Sequence, residues 1–431
     1  MTPLSCDTRI LISGGSGPRP ARSPYWTPTQ STQGAEKLLV AYVTPLGVRD
    51  GSASAQRIFG MARTFQQAGH QVVIGAGDHP GLQAAGLGHD DASETHALGE
   101  LPPAGWRAPQ KALRVLSWGA PTVHWLERMQ PQPDAVVVYG GSTPYMRRLI
   151  PWCRARAIPI VVDAVEWYES SHLPGGALGP FSLSNALAMR WYYPKARNVI
   201  AISRFLEHHY EERGCLVVRV PPTRDVGRTP VRLEERHGPL RLAYAGVPGR
   251  KDLIDRVVQG VIEINRGHPV PRVEFTIAGP SAGDVMSMPS LRATGFKAVP
   301  PWLTAHGRIS PLEVNTLLRG ADFMPLLRPR ERYSAAGFPT KVTESLAAGT
   351  PIICNLTGDL ADYLVDGHEA LLCSDSSSAS FADALERAVA LPVAQRTAMR
   401  MHARRRAEAS FDYHNYVGEV ERFLRSLRLP G

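Results

Sequence analysis

The chain has 431 residues, 43% hydrophobic and 20% charged, which is ordinary globular usage with enough apolar mass for two or three units, and excludes a small disulfide scaffold or a lone binding module. The formal charge of +9 is compatible with nucleic acid, an anionic membrane surface or a phosphorylated substrate. A nucleic-acid binder is disfavoured, because no basic stripe interleaved with aromatics and no zinc or helix-turn-helix signature accompanies the charge.

Residues 1–35 are rich in Ser, Thr, Gly and Pro (SGGSGPRPARSPYWTPTQSTQG) with no apolar period and read as a flexible tail. They lack a basic region followed by a long apolar core, and no run in the chain approaches the roughly 18 apolar residues of a membrane helix. The expectation is a protein neither exported by an obvious signal nor membrane-spanning. Cys6, Cys153, Cys215, Cys354 and Cys373 form no C-x-x-C pair and no metal-like spacing, which suits a reducing cytoplasm and no metal site.

From Lys37 onward, LLVAYV, QVVIGAG, AVVVYG, IPIVVDAV, NVIAIS and LVVRVP alternate with helix-length segments. Continuous Val/Ile runs of this length suit strands buried on both faces of a parallel sheet, so residues 36–225 read as a Rossmann-like domain. After the first strand, Gly47 and Gly51 make a loop entering a helix that runs to about Ala68, whose amide end suits an anion or a substrate hydroxyl. The text is not G-x-G-x-x-G, so a nicotinamide dinucleotide is not indicated. The fourth strand runs into VVDAVEWYESSHLPGG, which places Asp163, Glu166, Glu169 and His172 at a strand end beside Trp167 and Tyr168. Acids there are candidates for positioning sugar hydroxyls or steadying a developing cation; capping the next helix or pairing at the surface is the competing reading. Glu166 is the preferred catalytic candidate, with Trp167 expected to wall it from water.

The polar, Pro- and Arg-rich stretch that ends with residues 226–239 reads as a linker. Over 240–392 the alternation restarts with LRLAYAG, VEFTIAG, ADFMPLL, TPIICN and EALLC, a second parallel α/β domain. The fold expected is therefore α/β, two doubly wound sheets facing a cleft, with ligands at the carboxyl ends of the strands. Only six of the 48 basic residues are lysine, so each lysine is worth inspecting. In AYAGVPGRKDLIDRV, Gly246, Arg250 and Lys251 occupy a strand-to-helix loop, and two cations with exposed amides suit a diphosphate whose charge must be neutralised when a bond to it breaks. It is not a Walker A loop.

AGFPTKVTESLAAGTPIICN is the most specific text. Pro339 and Thr340 fit a helix start and Gly349 its end. Lys341 and Glu344 are three apart and share a face; the lysine at the helix mouth suits phosphate, and the carboxylate one turn deeper can accept two ribose hydroxyls. An exposed ion pair between these two residues is the alternative. Residues 393–431 carry eight arginines against four acids, Arg404, Arg405 and Arg406 among them. They read as helices crossing back to the first domain, with a solvated basic face or one that docks on anionic lipid headgroups at the inner face of the cell membrane.

The helix carrying Glu344, followed by a buried strand, resembles the donor-site signature of the retaining glycosyltransferases of family 4, with their two-domain GT-B architecture. LAYAGVPGRKDLI, HGRISPLEVNTLLRGADFMPLL and TGDLADYLVDGHEALLC fall in that family's order, and the first glycine loop and AISRFLEHHY agree with it. The resemblance covers roughly residues 37–425. It implies transfer of a sugar from a nucleotide-diphosphate sugar to a hydroxyl of a glycan, glycolipid or small molecule, with retention at the anomeric carbon and no required metal or other cofactor. By position, Glu344 would hold the ribose, Arg250 and Lys251 the diphosphate, and Gly47 would approach donor or acceptor from the first domain. Two positions depart from the family text. Where it carries a second glutamate eight residues before Glu344, this chain has Ala336, leaving Glu331 or a backbone amide to contact the sugar. Where it often carries a histidine after the fourth strand, Asp163 and Glu166 stand. Lys341 in P-T-K matches a variant subset. A non-catalytic relative that binds a nucleotide sugar or a partner enzyme is the alternative that Ala336 motivates.

Overall fold

The structure, a computed structural model, describes residues 36–48, 51–79, 93–103, 105–172, 175–232, 237–249 and 251–431. The tail expected over 1–35, Arg250 and the side chain of His172 lie outside the described residues.

The N-terminal half is built on seven strands, β1 (Leu39–Val43), β2 (Gln71–Ala76), β3 (Glu94–Ala97), β4 (Ala135–Tyr139), β5 (Ile160–Ala164), β6 (Asn198–Ala201) and β7 (Leu216–Arg219). They are all parallel, in the order β3-β2-β1-β4-β5-β6-β7. The C-terminal half has β8 (Leu240–Ala245), β9 (Val273–Ala278), β10 (Leu303–Gly307), β11 (Met324–Leu326), β12 (Ile352–Asn355) and β13 (Ala370–Cys373). They form two parallel three-stranded sheets, β10-β9-β8 and β11-β12-β13, which the parallel bridge Leu242–Phe323 joins side by side. Each half therefore reverses its strand order once, between β1 and β4 and between β8 and β11. A doubly wound sheet opens its ligand crevice at such a reversal.

The apolar runs of the sequence become the interior strands, buried along their length. Two strands have no such run. β3 reads ETHA and β10 reads LTAHG, and each is the outermost strand of its sheet. An edge strand covered on fewer sides does not need continuous Val and Ile. The strand that carries the 160–164 run is consequently the fifth in the sheet, not the fourth.

The halves are tied directly. Ser203 Oγ donates to the carbonyl of Ala336 at 2.7 Å, the Arg204 amide to Asp359 Oδ2 at 2.8 Å, and Arg332 pairs with Glu169 at 3.2 Å. The C-terminal helices bind one half each. The helix Val393–Ser410 lies on the C-terminal half, where Arg404 donates to the carbonyl of Ala347 at 3.0 Å and Arg400 to that of Arg319 at 2.8 Å. The helix Val417–Arg425 buries Val420, Phe423 and Leu424 in the N-terminal core with Ile58, Met61 and Phe65. Each such side chain contributes about 1.5–3 kcal/mol relative to exposure. Beyond it, the Asn198 side chain exchanges two hydrogen bonds with the backbone of Arg428, at 2.7 and 2.8 Å.

These contacts give part of the basic C-terminus a structural use, while Arg405 and Arg422 stay exposed. Arg400 is buried and bonded to carbonyls, Arg404 is bonded to the carbonyls of Thr229 and Ala347, and Arg406 pairs with Glu369 at 2.6 Å. A guanidinium presents five N–H donors in a fork, so it fastens a helix to orphan carbonyls as readily as it faces a membrane. Among the described residues, no helix is long and apolar enough to cross a membrane.

Candidate active site in the cleft

Where the two reversal points face each other, a cavity of about 220 Å³ opens, lined from the N-terminal half by Ala53, Arg57, Tyr139, Val165, Glu166 and Ile202. From the other half it receives the turn after β8 (Val247, Pro248, Lys251, Asp252), Arg328 just beyond β11, and residues 337–341. The helix Ala53–Gln67 presents its amino end here, with Ser52 as its cap and no acid in its first turn, so its amide end stays available to an anion. The helix Thr340–Ala347 starts at the same cavity after Pro339.

Lys341 Nζ lies 3.0 Å from Asp252 Oδ2 and 5.2 Å from the centre of the Tyr244 ring. The Tyr244 hydroxyl donates to the same carboxylate at 2.8 Å, and burial beside Asp252 pushes its pKa well up, so it stays a neutral donor. Gly246 has φ of +137°, and a Cβ there would stand 2.5 Å from Lys341 Cε. The glycine is what lets the lysine cross the turn. Gly246→Ala is therefore expected to push the ammonium off Asp252 and to weaken nucleotide binding about tenfold, or about 1.4 kcal/mol, in a titration. Gly249→Ala is the control for backbone handedness alone, since its φ is +53° and among the described residues beyond its chain neighbours nothing stands within 4 Å of the added methyl; it should leave that affinity unchanged.

Arg328 was not singled out in the sequence. It is 6% exposed, with Nε 3.4 Å from Asp252 Oδ1, yet among the described residues neither Nε nor Nη1 has a hydrogen-bond partner. Unpaired N–H groups on a buried guanidinium are costly unless an acceptor arrives. Its signal was available as an arginine one residue past a buried run, MPLL. Asp252 was missed because it reads as the start of the next helix. The pairing that holds it is long-range.

Lys251 Nζ pairs with Glu166 Oε1 across the cleft and stands 4.9 Å from the centre of the Tyr168 ring. The two catalytic candidates, read separately in the sequence, are thus in contact. The aromatic neighbour of Glu166 is Tyr168, whose hydroxyl pKa is raised by burial and then by the Glu166 charge. Trp167 turns the other way, buried at 4.7 Å from the His209 ring and 6.3 Å from that of Phe205, so it does not wall Glu166.

Asp163 also departs from expectation. Its carboxylate is 1% exposed and is consumed by Arg57 Nη2 at 2.8 Å, Arg57 Nε at 3.0 Å and the Tyr42 hydroxyl at 2.5 Å. Glu169 is held by Arg332. Glu331 is exposed, caps the helix Arg332–Ala336 and lines no part of the cavity. Ala336 is fully buried with its carbonyl taken by Ser203. Gly47 lines neither this cavity nor the one adjoining it, and Asp78 Oδ1 stands 2.6 Å from the position a Cβ would take there; Leu46 and Ala53 on either side of it reach the two cavities instead. Lys341 and Glu344 make no pair with each other. Glu344 lies one turn deeper, outside the cavity lining, with Oε1 3.2 Å from Arg224 Nη1. Among the described residues, no group of His, Cys, Asp and Glu is arranged to hold a metal ion.

A second cavity, of about 430 Å³, adjoins the first, and the two share Tyr139, Val165 and Glu166. Its wall is mainly apolar and aromatic, with Leu46, Leu116, Trp118, Tyr168, Phe181 and Tyr193, and Asp163 reaches it from β5. Glu166 stands at the boundary between a cationic chamber and an apolar one.

Two family models match the sequence: a glycosyl transferase 4-like domain over residues 52–243 and glycosyl transferases group 1 over residues 240–390. No curated protein matches it significantly. Among solved structures, the fold is similar to sucrose-phosphate synthase from Thermosynechococcus elongatus, at 14% identity and a TM-score of 0.68, over 90% of this chain and 98% of that one. It is similar to HepE of Anabaena in complex with UDP and glucose, at 12% identity and a TM-score of 0.65, over 90% and 100%. It is also similar to a glycosyltransferase from Rickettsia africae, at 12% identity and a TM-score of 0.64, over 91% and 100%. With two facing doubly wound halves, each matched by a glycosyltransferase model, the chain belongs to the glycosyltransferases of GT-B architecture.

Proposed function

We propose that the chain is a retaining, family 4 type glycosyltransferase that moves a sugar from a nucleotide-diphosphate sugar to an acceptor hydroxyl, in the making of a polysaccharide, glycolipid or glycosylated metabolite, without a metal. The observation that carries this reading is the cationic chamber at the C-terminal reversal point, where Lys251, Lys341 and the incompletely bonded Arg328 converge. Such a set fits a diphosphate whose negative charge grows as the bond to the anomeric carbon breaks. The acceptor oxygen then bonds to that carbon on the face the phosphate leaves, and its proton passes to the departing phosphate oxygen. Glu166, at the boundary with the apolar chamber, would orient the acceptor hydroxyl or the sugar. Arg250 would add to the diphosphate site, and Gly246, Pro339 and Thr340 would bring backbone close to it. Glu344, shared with Arg224 or released from it, would accept the ribose hydroxyls. HepE was solved with UDP-glucose, which makes UDP the first nucleotide to try.

Thermal unfolding against UDP, GDP, TDP, ADP and CMP tests the reading. One nucleotide at about 100 times its dissociation constant should add about 2.7 kcal/mol of stability, and Glu344→Ala should lose most of that gain while unfolding normally without ligand. No gain with any nucleotide would overturn the donor site.

A further inference from the structure

We infer that the apolar chamber takes the hydrocarbon part of a lipid-borne acceptor, and that its rim seats on an anionic lipid bilayer. The inference rests on the reading of Glu166 as the acceptor side of the site. The chamber wall continues onto the surface as uncovered apolar side chains. Leu116 and Phe181, which line it, are 62% and 47% exposed. Leu113, one turn before Leu116 on the helix Ala108–Leu116, is 67% exposed, and Leu178 and Leu183, flanking Phe181, are 87% and 56% exposed. Contiguous exposure of large apolar side chains around a cavity mouth marks an interaction surface.

The charge around this rim selects the partner. No acid stands on the helix Ala108–Leu116, on the helix Thr143–Ala155 or within residues 176–196, and while Arg114 and Arg148 are bonded to the carbonyls of Gly99, Leu116 and Trp118, three cations face outward near the rim. Lys111, Arg147 and Arg190 are exposed. Acid-free cations interleaved with protruding Leu and Phe complement an anionic headgroup layer over hydrocarbon. A sugar or a small polar acceptor would leave the rim uncovered. The hydroxyl of a lipid held by its chain in the chamber would reach the shared wall where Glu166 stands.

The test is flotation of the full chain with vesicles of equal parts phosphatidylglycerol and phosphatidylcholine, and with pure phosphatidylcholine. Binding is expected to the mixed vesicles, to be weakened by salt, and to fall about tenfold or more in Leu113→Glu and in Leu183→Glu, both on the exposed rim outside the cavity lining. Each variant should keep the wild-type thermal midpoint and the nucleotide shift. A chamber that accepts acyl chains also requires that chain-brominated phospholipid quench tryptophan fluorescence, and that Trp118→Phe remove part of the quenching. Failure to float, or floating unaffected by both substitutions, would overturn the inference, as would a rim covered by a second copy of the chain in sedimentation. Any of these could occur with the nucleotide shift intact, and the loss of that shift alone would overturn the donor site instead.

Discussion

Replacing Lys251 by methionine is expected to lower kcat by about 10²–10³-fold, the usual cost of removing one group aimed at developing charge, with the thermal midpoint unchanged. Lys251 is on a turn with its side chain 38% exposed, so little stability depends on it. In the transition state proposed here, the leaving diphosphate gains negative charge that the bound donor lacks. An interaction that strengthens in this way lowers the barrier, while one felt equally before and during the reaction changes KM alone. Lys341 is anchored by Asp252 and by Tyr244, whereas Lys251 is held by Glu166 across the cleft and can be drawn from it by an arriving phosphate. Glu166 complicates the measurement, because Lys251→Met also strips that carboxylate of its partner, and contacting residues do not act additively. The cycle with Glu166→Gln separates the two effects. Lys251→Met should still cost about tenfold or more in the Glu166→Gln background if it acts on the donor. Equal rates for Glu166→Gln and the double variant would show that Lys251 works only through Glu166.

The interior strands were legible because a parallel strand covered on both faces must be apolar throughout, and AVVVY or IICN satisfies little else. β3 and β10 were not, since an edge position relaxes that demand. Around the cavity, Lys251, Pro339, Thr340 and Lys341 were readable because strand-to-helix turns sit at a fixed end of the sheet, and the topology delivers them to one cleft. Partner choice was not readable. Lys341 and Glu344 share a helix face, yet Asp252 and Arg224 claim them from elements 89 and 120 positions away in the chain. The same limit hid Arg328, whose role depends on what faces it, and the partner of Asp163, which reads equally as a substrate contact or a structural pair. A carboxylate at a strand end signals chemistry only if no buried cation reaches it, and Arg57 lies 106 residues earlier.

Arg57→Met is expected to destabilise the protein by about 3–5 kcal/mol, since removing one partner leaves the other charge buried and unpaired. Arg57 is 2% exposed and Asp163 1%. Besides the carboxylate, Arg57 Nη1 donates to the carbonyls of Val220 and Pro221, each at 2.8 Å, so the guanidinium joins the first helix, β5 and the segment after β7. Asp163→Leu alone should cost a similar amount through the opposite orphan. Arg57→Met combined with Asp163→Leu should cost clearly less than the sum, because no unpaired charge remains, though the two carbonyls still lose their donor. Urea unfolding at unchanged m-value reads all three. The cycle also decides what kind of residue Asp163 is. With its oxygens committed to Arg57 and to Tyr42, whose hydroxyl pKa is raised chiefly by burial and then by the Asp163 charge, Asp163 has no free acceptor for a substrate. Asp163→Asn should therefore lower the midpoint while folded enzyme, assayed well below it, turns over within a few-fold of wild type. An Asp163→Asn protein of normal stability that has lost about 10²-fold or more in kcat, the usual share of a group in direct proton transfer, would return Asp163 to the chemistry and make Arg57 its activator.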